Sequence, residues 1–126
     1  MLSRILQIAC FASSIILVGL VGCSRDPGPP PAIAVEQIPA ELDKSFKTAK
    51  QEIKNLVGKI TSALQTKDYP AAYDAVQALG TLPDASQSQR VLTARAALTI
   101  YSLLQAAQAQ GDENAAAAIR YHQATK

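Results

Sequence analysis

Few side chains of this 126-residue chain have the type and spacing for chemistry. Cys23 is the one thiol beyond the apolar amino terminus, and a thiolate is the strongest nucleophile the chain offers. Cys10 sits inside an uncharged apolar run and reads as a small apolar filler. His122 is the only imidazole, four residues from the end on an alanine-lined stretch, and no Cys or paired carboxylate can be placed beside it from sequence. It reads as a packing or surface residue. Asp68 with Asp74, and Asp112 with Glu113, could be named acid pairs, but carboxylates gather at helix starts because free amides and the helix dipole favour them there. Glycine-rich phosphate loops and calcium-loop spacings are absent. The chain after Cys23 also lacks the residues for a zinc site, a disulfide framework or a Cys/His dyad. The expectation is therefore no catalytic residue, no metal and no cofactor. Tyr69, Tyr73, Tyr101 and Tyr121 remain as candidate partner contacts, since aromatics with a polar tip dominate contact sites. The alternative is that they fill space between alanine-rich helices.

The amino terminus carries the clearest signal. Met1-Leu-Ser-Arg4 is a short basic start, and Ile5 to Ser24 is uncharged, with Ile15-Ile-Leu-Val-Gly-Leu-Val at its centre. That is a secretory signal layout. The run ends Leu20-Val21-Gly22-Cys23, which resembles the lipobox of bacterial lipoproteins. The resemblance implies a diacylglyceryl thioether on Cys23, cleavage between Gly22 and Cys23, and an anchor held by about 0.8 kcal/mol per buried methylene. It also implies a cell-envelope location. With Ser24 rather than Asp after the cysteine, that is the outer membrane in a two-membrane organism, and otherwise the outer face of the plasma membrane. An uncleaved transmembrane helix is the alternative, since roughly 20 apolar residues span a bilayer. It gives no reason for Gly22-Cys23 followed at once by a polar, proline-rich stretch.

Those elements set what must hold any site. Residues 1–22 are expected to be a signal peptide, residues 23–40 a lipidated cysteine and proline-rich linker, and residues 41–126 an α-helical domain. From Ser24 on, 21 of 45 hydrophobic residues are alanine, so the core must be thin. A net charge near +1 after residue 22 lacks the dense basic patch that phosphate neutralisation requires, and nucleic acid is not an expected partner. Ser24 to Ala40 holds five prolines, including Pro29-Pro-Pro31, and reads as a polyproline spacer of up to roughly 50 Å. Leu42, Phe46, Ala49, Ile53, Leu56, Ile60 and Ala63 then recur at helical spacing and predict one unbroken helix, with Lys44, Lys47, Lys50, Lys54 and Lys59 on solvated faces. Asp68-Tyr69-Pro70 stops it and starts a second helix bearing Ala72, Val76 and Leu79. Gly80, as a left-handed cap, and Pro83 end that one. A third should run from Asp84 or Ser86 to Gln110 with two apolar stripes, Val91, Ala94, Leu98, Tyr101 and Ala96, Ile100, Leu103, Ala107. Gly111-Asp112 breaks it before a last helix from Glu113 to about Gln123, with Ala115, Ala118, Ile119 and His122 on one face.

The two breaks repeat at an offset of 44 residues: the stretch Leu64 to Ala72, with Asp68 in its turn, aligns with the stretch Ala107 to Ala116, with Asp112 in its turn. The pair resembles helical-hairpin repeats of the tetratricopeptide kind, where a small Ala after the turn lets two helices cross closely. Ala72 and Ala116 match that Ala, and Tyr69 matches the turn aromatic. Lys67 stands where those repeats have Gly, Glu113 where they have the aromatic, and 44 exceeds their 34-residue period. The expected fold is all-α, a small helical-hairpin bundle of about four helices. The expected function is a lipid-anchored, non-enzymatic scaffold or adaptor for an envelope protein, with binding of a small ligand or envelope polymer as the alternative.

Overall fold

The computed structural model describes Gly28 and residues 30–126. The signal peptide, the Gly22–Cys23 cleavage point and the lipidated Cys23 lie outside the described residues. Within them the chain is all-helical. A 3-10 turn, Val35–Gln37, leads into α1 (Ile38–Ser45), followed by α2 (Gln51–Gln65), α3 (Tyr69–Gly80), α4 (Gln87–Ala109) and α5 (Glu113–Ala124). Successive helices pack on one another, α3 between α2 and α4, while α1 packs across α2 and α4. The core is one cluster whose largest fully buried members are Ile38, Leu42, Ile60, Val76, Leu79, Ile100 and Leu104.

The unbroken helix expected from residue 41 is two helices. In a continuous helix the Ser45 carbonyl would bond the Ala49 amide; instead Ala49 N–H donates to Phe46 O at 3.0 Å, and Gln89 Nε2 donates to Ser45 O at 2.9 Å. Lys50, extended at φ −59° and ψ 155°, restarts the chain as the cap of α2. Apolar spacing cannot detect this break, because Leu42 and Phe46 before it and Val57, Ile60 and Ala63 after it all face the same core. The five lysines named above are exposed, as expected of a solvated face.

The proline-rich linker also ends sooner than its composition suggests. Ile33 is 5% exposed and Ile38 is fully buried, so the folded body starts about ten residues before Glu41. Arg95 Nε donates to Pro31 O at 2.9 Å, and the Thr99 hydroxyl donates to Ile33 O. Both donors lie on α4, one turn apart.

The turns that close α2 and α4 share one geometry. Asp68 N–H reaches back to Ala63 O at 2.8 Å and Lys67 N–H to Leu64 O at 3.2 Å; Asp112 N–H reaches Ala107 O at 3.0 Å and Gly111 N–H reaches Gln108 O at 3.0 Å. These are paired six-to-one and five-to-two bonds of a Schellman stop. Their left-handed residues are Lys67 (φ 58°) and Gly111 (φ 91°), so the left-handed cap expected at Gly80 does not form; Gly80 is the last helical residue of α3. Each Asp then caps the next helix. Asp68 Oδ1 accepts from Ala71 N–H at 3.1 Å, and Asp112 Oδ1 from Asn114 and Ala115 N–H at 2.9 and 3.1 Å. The 44-residue repeat is thus present in the backbone bonds of its turns.

It weakens along the helices that follow. Ala72 is fully buried, but its counterpart Ala116 is half-buried, and Ala115 takes the closed position. The cause is placement: α3 is covered by neighbours on both sides, whereas α5 presses mainly one face on α4. Of the two stripes on α4, the one through Ala96 and Ile100 is buried with Thr93 and Leu104, while the one through Val91 (38% exposed), Ala94 and Leu98 (41% exposed) lies outside.

Candidate functional site

The side chains gathered most closely lie where α3, α4 and α5 meet. Pro70 in the first turn of α3 and Asp68 at its cap fix the start of that helix, which places Tyr73 and Asp74 a turn further on. Gly111 and Asp112 likewise set the direction of α5 and bring His122 back against α3. His122 Nε2 lies 3.1 Å from Asp74 Oδ1, and its ring meets Tyr73 edge to face with centroids 4.6 Å apart. Tyr73 in turn packs on Tyr101 of α4 at 5.4 Å, tilted by 43°. Tyr121 joins from the outside, its ring 5.5 Å from His122 and 65% exposed.

Three of the four candidate tyrosines therefore form one group, graded from buried Tyr73 through half-buried Tyr101 to exposed Tyr121. Tyr69 stands apart. It borders a recess with Lys67, Gly111 and Asp112, where the two Schellman turns lie side by side. His122, read from sequence as a packing or surface residue, and Asp74, read as a helix-start carboxylate, are partners across 48 positions. No local pattern announces such a pair; only the chain reversal at Gly111 creates it.

Burial pushes the Tyr73 phenol above its usual value, the adjacent Tyr101 phenol adds to this, and a side-chain hydrogen bond with Gln77 opposes it. Among the described residues, no three of His, Cys, Asp and Glu come together as metal ligands would.

Beside the aromatic group a trough of about 610 Å³ opens between α3 and α4, walled by Tyr73, Gln77, Ala94, Leu98, Tyr101 and Pro30. Thr93 also borders it; the residue is 3% exposed and its hydroxyl has no hydrogen-bond partner. Sequence reasoning assigned nothing to Thr93, Arg95 or Thr99, which in a helix written as two apolar stripes appear only as interruptions.

No known family matches the chain, and neither a curated protein nor a solved structure matches it significantly.

Proposed function

We propose that this protein is a lipid-anchored envelope lipoprotein whose helical domain serves as a non-enzymatic scaffold or adaptor for a protein partner. Leu20-Val21-Gly22-Cys23 supports the anchor: acyl chains on Cys23 would fix the chain to a bilayer, the outer membrane in a two-membrane organism and otherwise the outer face of the plasma membrane. Among the described residues no helix is long and apolar enough to cross a membrane.

The observation that carries the adaptor reading is the graded aromatic group. Tyr121, 65% exposed, is backed by His122, Tyr73 and Tyr101, so an exposed ring stands on a rigid base. Interface anchors have this construction, a large aromatic with few rotatable bonds held in place before contact. The alternative, binding of a small ligand or envelope polymer, draws on one feature, the unpartnered Thr93 hydroxyl beside the α3–α4 trough.

Two measurements test the reading separately. Intact-mass analysis of Cys23→Ser should show an uncleaved precursor without acyl mass, whereas the native chain begins at an acylated Cys23. A native chain that starts elsewhere, or carries no acyl mass, refutes the anchor. Cross-linking in the native envelope should join the domain to a discrete protein, and Tyr121→Ala should reduce that product several-fold. An unchanged yield removes the aromatic group from the interface.

A further inference from the structure

We propose that the α3–α4 trough is the seat of a partner's amphipathic helix, one whose apolar stripe is flanked by carboxylates. The proposal rests on the adaptor reading and names the chemistry of the partner that reading requires. The exposed side of α4 supplies the apolar half of the match. Val91, Ala94, Leu98 and Tyr101 recur at spacings of three, four and three, the seam on which one helix receives another. Val91 and Leu98 are, with Tyr121, the large hydrophobic residues left exposed among the described ones. Ala94, Leu98 and Tyr101 also wall the trough of about 610 Å³ together with Tyr73 and Gln77 of α3, so the seam is one side of a concavity.

Charge identifies the occupant. The charged residues of α4 are Arg90 and Arg95 alone, and at about 3.6 residues per turn they fall on opposite flanks of the seam. Among the described residues neither meets a carboxylate; the one ion pair there joins His122 to Asp74. Backbone carbonyls hold both guanidiniums in place. Arg90 donates from Nε to Ala85 O and from Nη2 to Pro83 O, each at 3.0 Å, and Arg95 donates from Nε to Pro31 O at 2.9 Å. A guanidinium has five N–H donors, so each keeps donors to spare while its direction is set. Arg90 and Lys126, the charged residues that line the trough itself, are likewise both cations. An apolar seam between preplaced cations is the complement of an acidic amphipathic helix, which would lay its stripe in the trough and its carboxylates on the arginine forks.

Two other occupants fit less well. A second copy would set its α4 against this one, and since α4 has no carboxylate, arginine would meet arginine. A lipid surface is met by a convex helix face with a broad apolar side, whereas here the apolar residues line a concavity.

Two synthetic peptides of about 20 residues test the seat, identical in a leucine and alanine seam at heptad spacing and differing only in Glu or Lys on both flanks. Fluorescence anisotropy with the full chain should show the Glu peptide bound at least about tenfold tighter than the Lys peptide, the gap narrowing at high salt. Arg90→Glu/Arg95→Glu should invert the preference, and Arg90→Glu alone, which leaves the bond from Arg95 to Pro31 in place, should remove most of it. Leu98→Asp should abolish binding of both peptides with helicity unchanged. Equal binding of the two peptides, or a preference indifferent to Arg90→Glu, overturns the proposal. So does association of the native chain with anionic phosphatidylglycerol vesicles, or a dimer in sedimentation, that Leu98→Asp removes, since a bilayer or a second copy would then be the occupant. These outcomes are independent of Cys23 and Tyr121: if the Glu peptide binds as stated while no envelope protein cross-links, the adaptor reading fails and the chemistry of the seat stands.

Discussion

Lys67 holds a backbone conformation that side chains with a Cβ avoid. At φ 58° it occupies the left-handed position of the α2 stop, which Gly111 fills at φ 91° in the equivalent stop of α4. The left-handed region costs a residue with a Cβ about 1–2 kcal/mol, and glycine gives back part of that gain through about 0.5–1 kcal/mol of added unfolded-state freedom. Lys67→Gly should accordingly stabilise the domain by up to about 1 kcal/mol, and Gly111→Ala, by the same balance with the sign reversed, should destabilise it by about 1 kcal/mol. Urea midpoints at constant slope measure both. Tyr73 has a consequence at alkaline pH. Its folded-state pKa lies above the ordinary 10.0, so as pH rises past that value the unfolded chain releases the proton first. The unfolded state then binds fewer protons than the folded one, and stability falls with rising pH. Its contribution is complete below about pH 10 and is lost through the window between the unfolded and the higher folded value. Thermal melts across that range should show a steeper loss in the native chain than in Tyr73→Phe.

At the scale of elements, closeness of packing separates two alanines that the sequence pairs. Ala72 is fully buried in α3, where helices approach from both sides; a leucine there must push them apart, at a cost of about 1–3 kcal/mol. Ala116 is half-buried on α5, which has mainly one neighbour, and Ala116→Leu should cost well under half as much when melted beside Ala72→Leu. Ala115→Leu should resemble Ala72→Leu, since Ala115 is the closed position of α5. What was legible in the sequence follows from how local each signal is. Asp68 and Pro70, Ser86, and Gly111 with Asp112 mark helix ends through bonds to residues two to five positions away, and these boundaries fall where the sequence places them; the reciprocal bonds between Ser86 and Gln89 add a cap to α4 that the sequence reading did not name. The split between α1 and α2 was not legible, because it depends on Gln89 reaching Ser45 across 44 positions. The stripe through Val91 and Leu98 misled for a related reason: helical periodicity finds apolar faces but does not say which face a neighbour covers. Of the candidate site, the tyrosines were visible by type, while their grouping around His122 and Asp74 depends on a tertiary reversal that no spacing encodes.

The whole molecule is a body with a thin core, two of whose large members come from the segment that looks least structured. Alanine supplies little apolar area, so each large aliphatic residue carries a large share of the burial, and two of these precede Glu41. Ile38, fully buried, opens α1, and Ile33, 5% exposed, lies in the tether that Arg95 and Thr99 hold. Burying an isoleucine is worth about 1.5–3 kcal/mol, so a chain beginning at residue 41 forgoes about 3–6 kcal/mol together with the first turn of α1. A domain of this size holds only about 5–15 kcal/mol in total, and one with few large core residues lies toward the low end. Residues 31–126 should therefore melt cooperatively with the helicity of the full domain, whereas residues 41–126 should melt far lower or show no cooperative transition. Circular dichroism melts of the two, with Ile33→Ala and Ile38→Ala in the longer chain, assign the loss. If the shorter chain melts at the same temperature, Ile33 and Ile38 decorate the bundle rather than complete it. If each alanine variant instead falls part of the way, the tether belongs to the fold, and any partner that pulls it from α4 must also work against the stability of the domain.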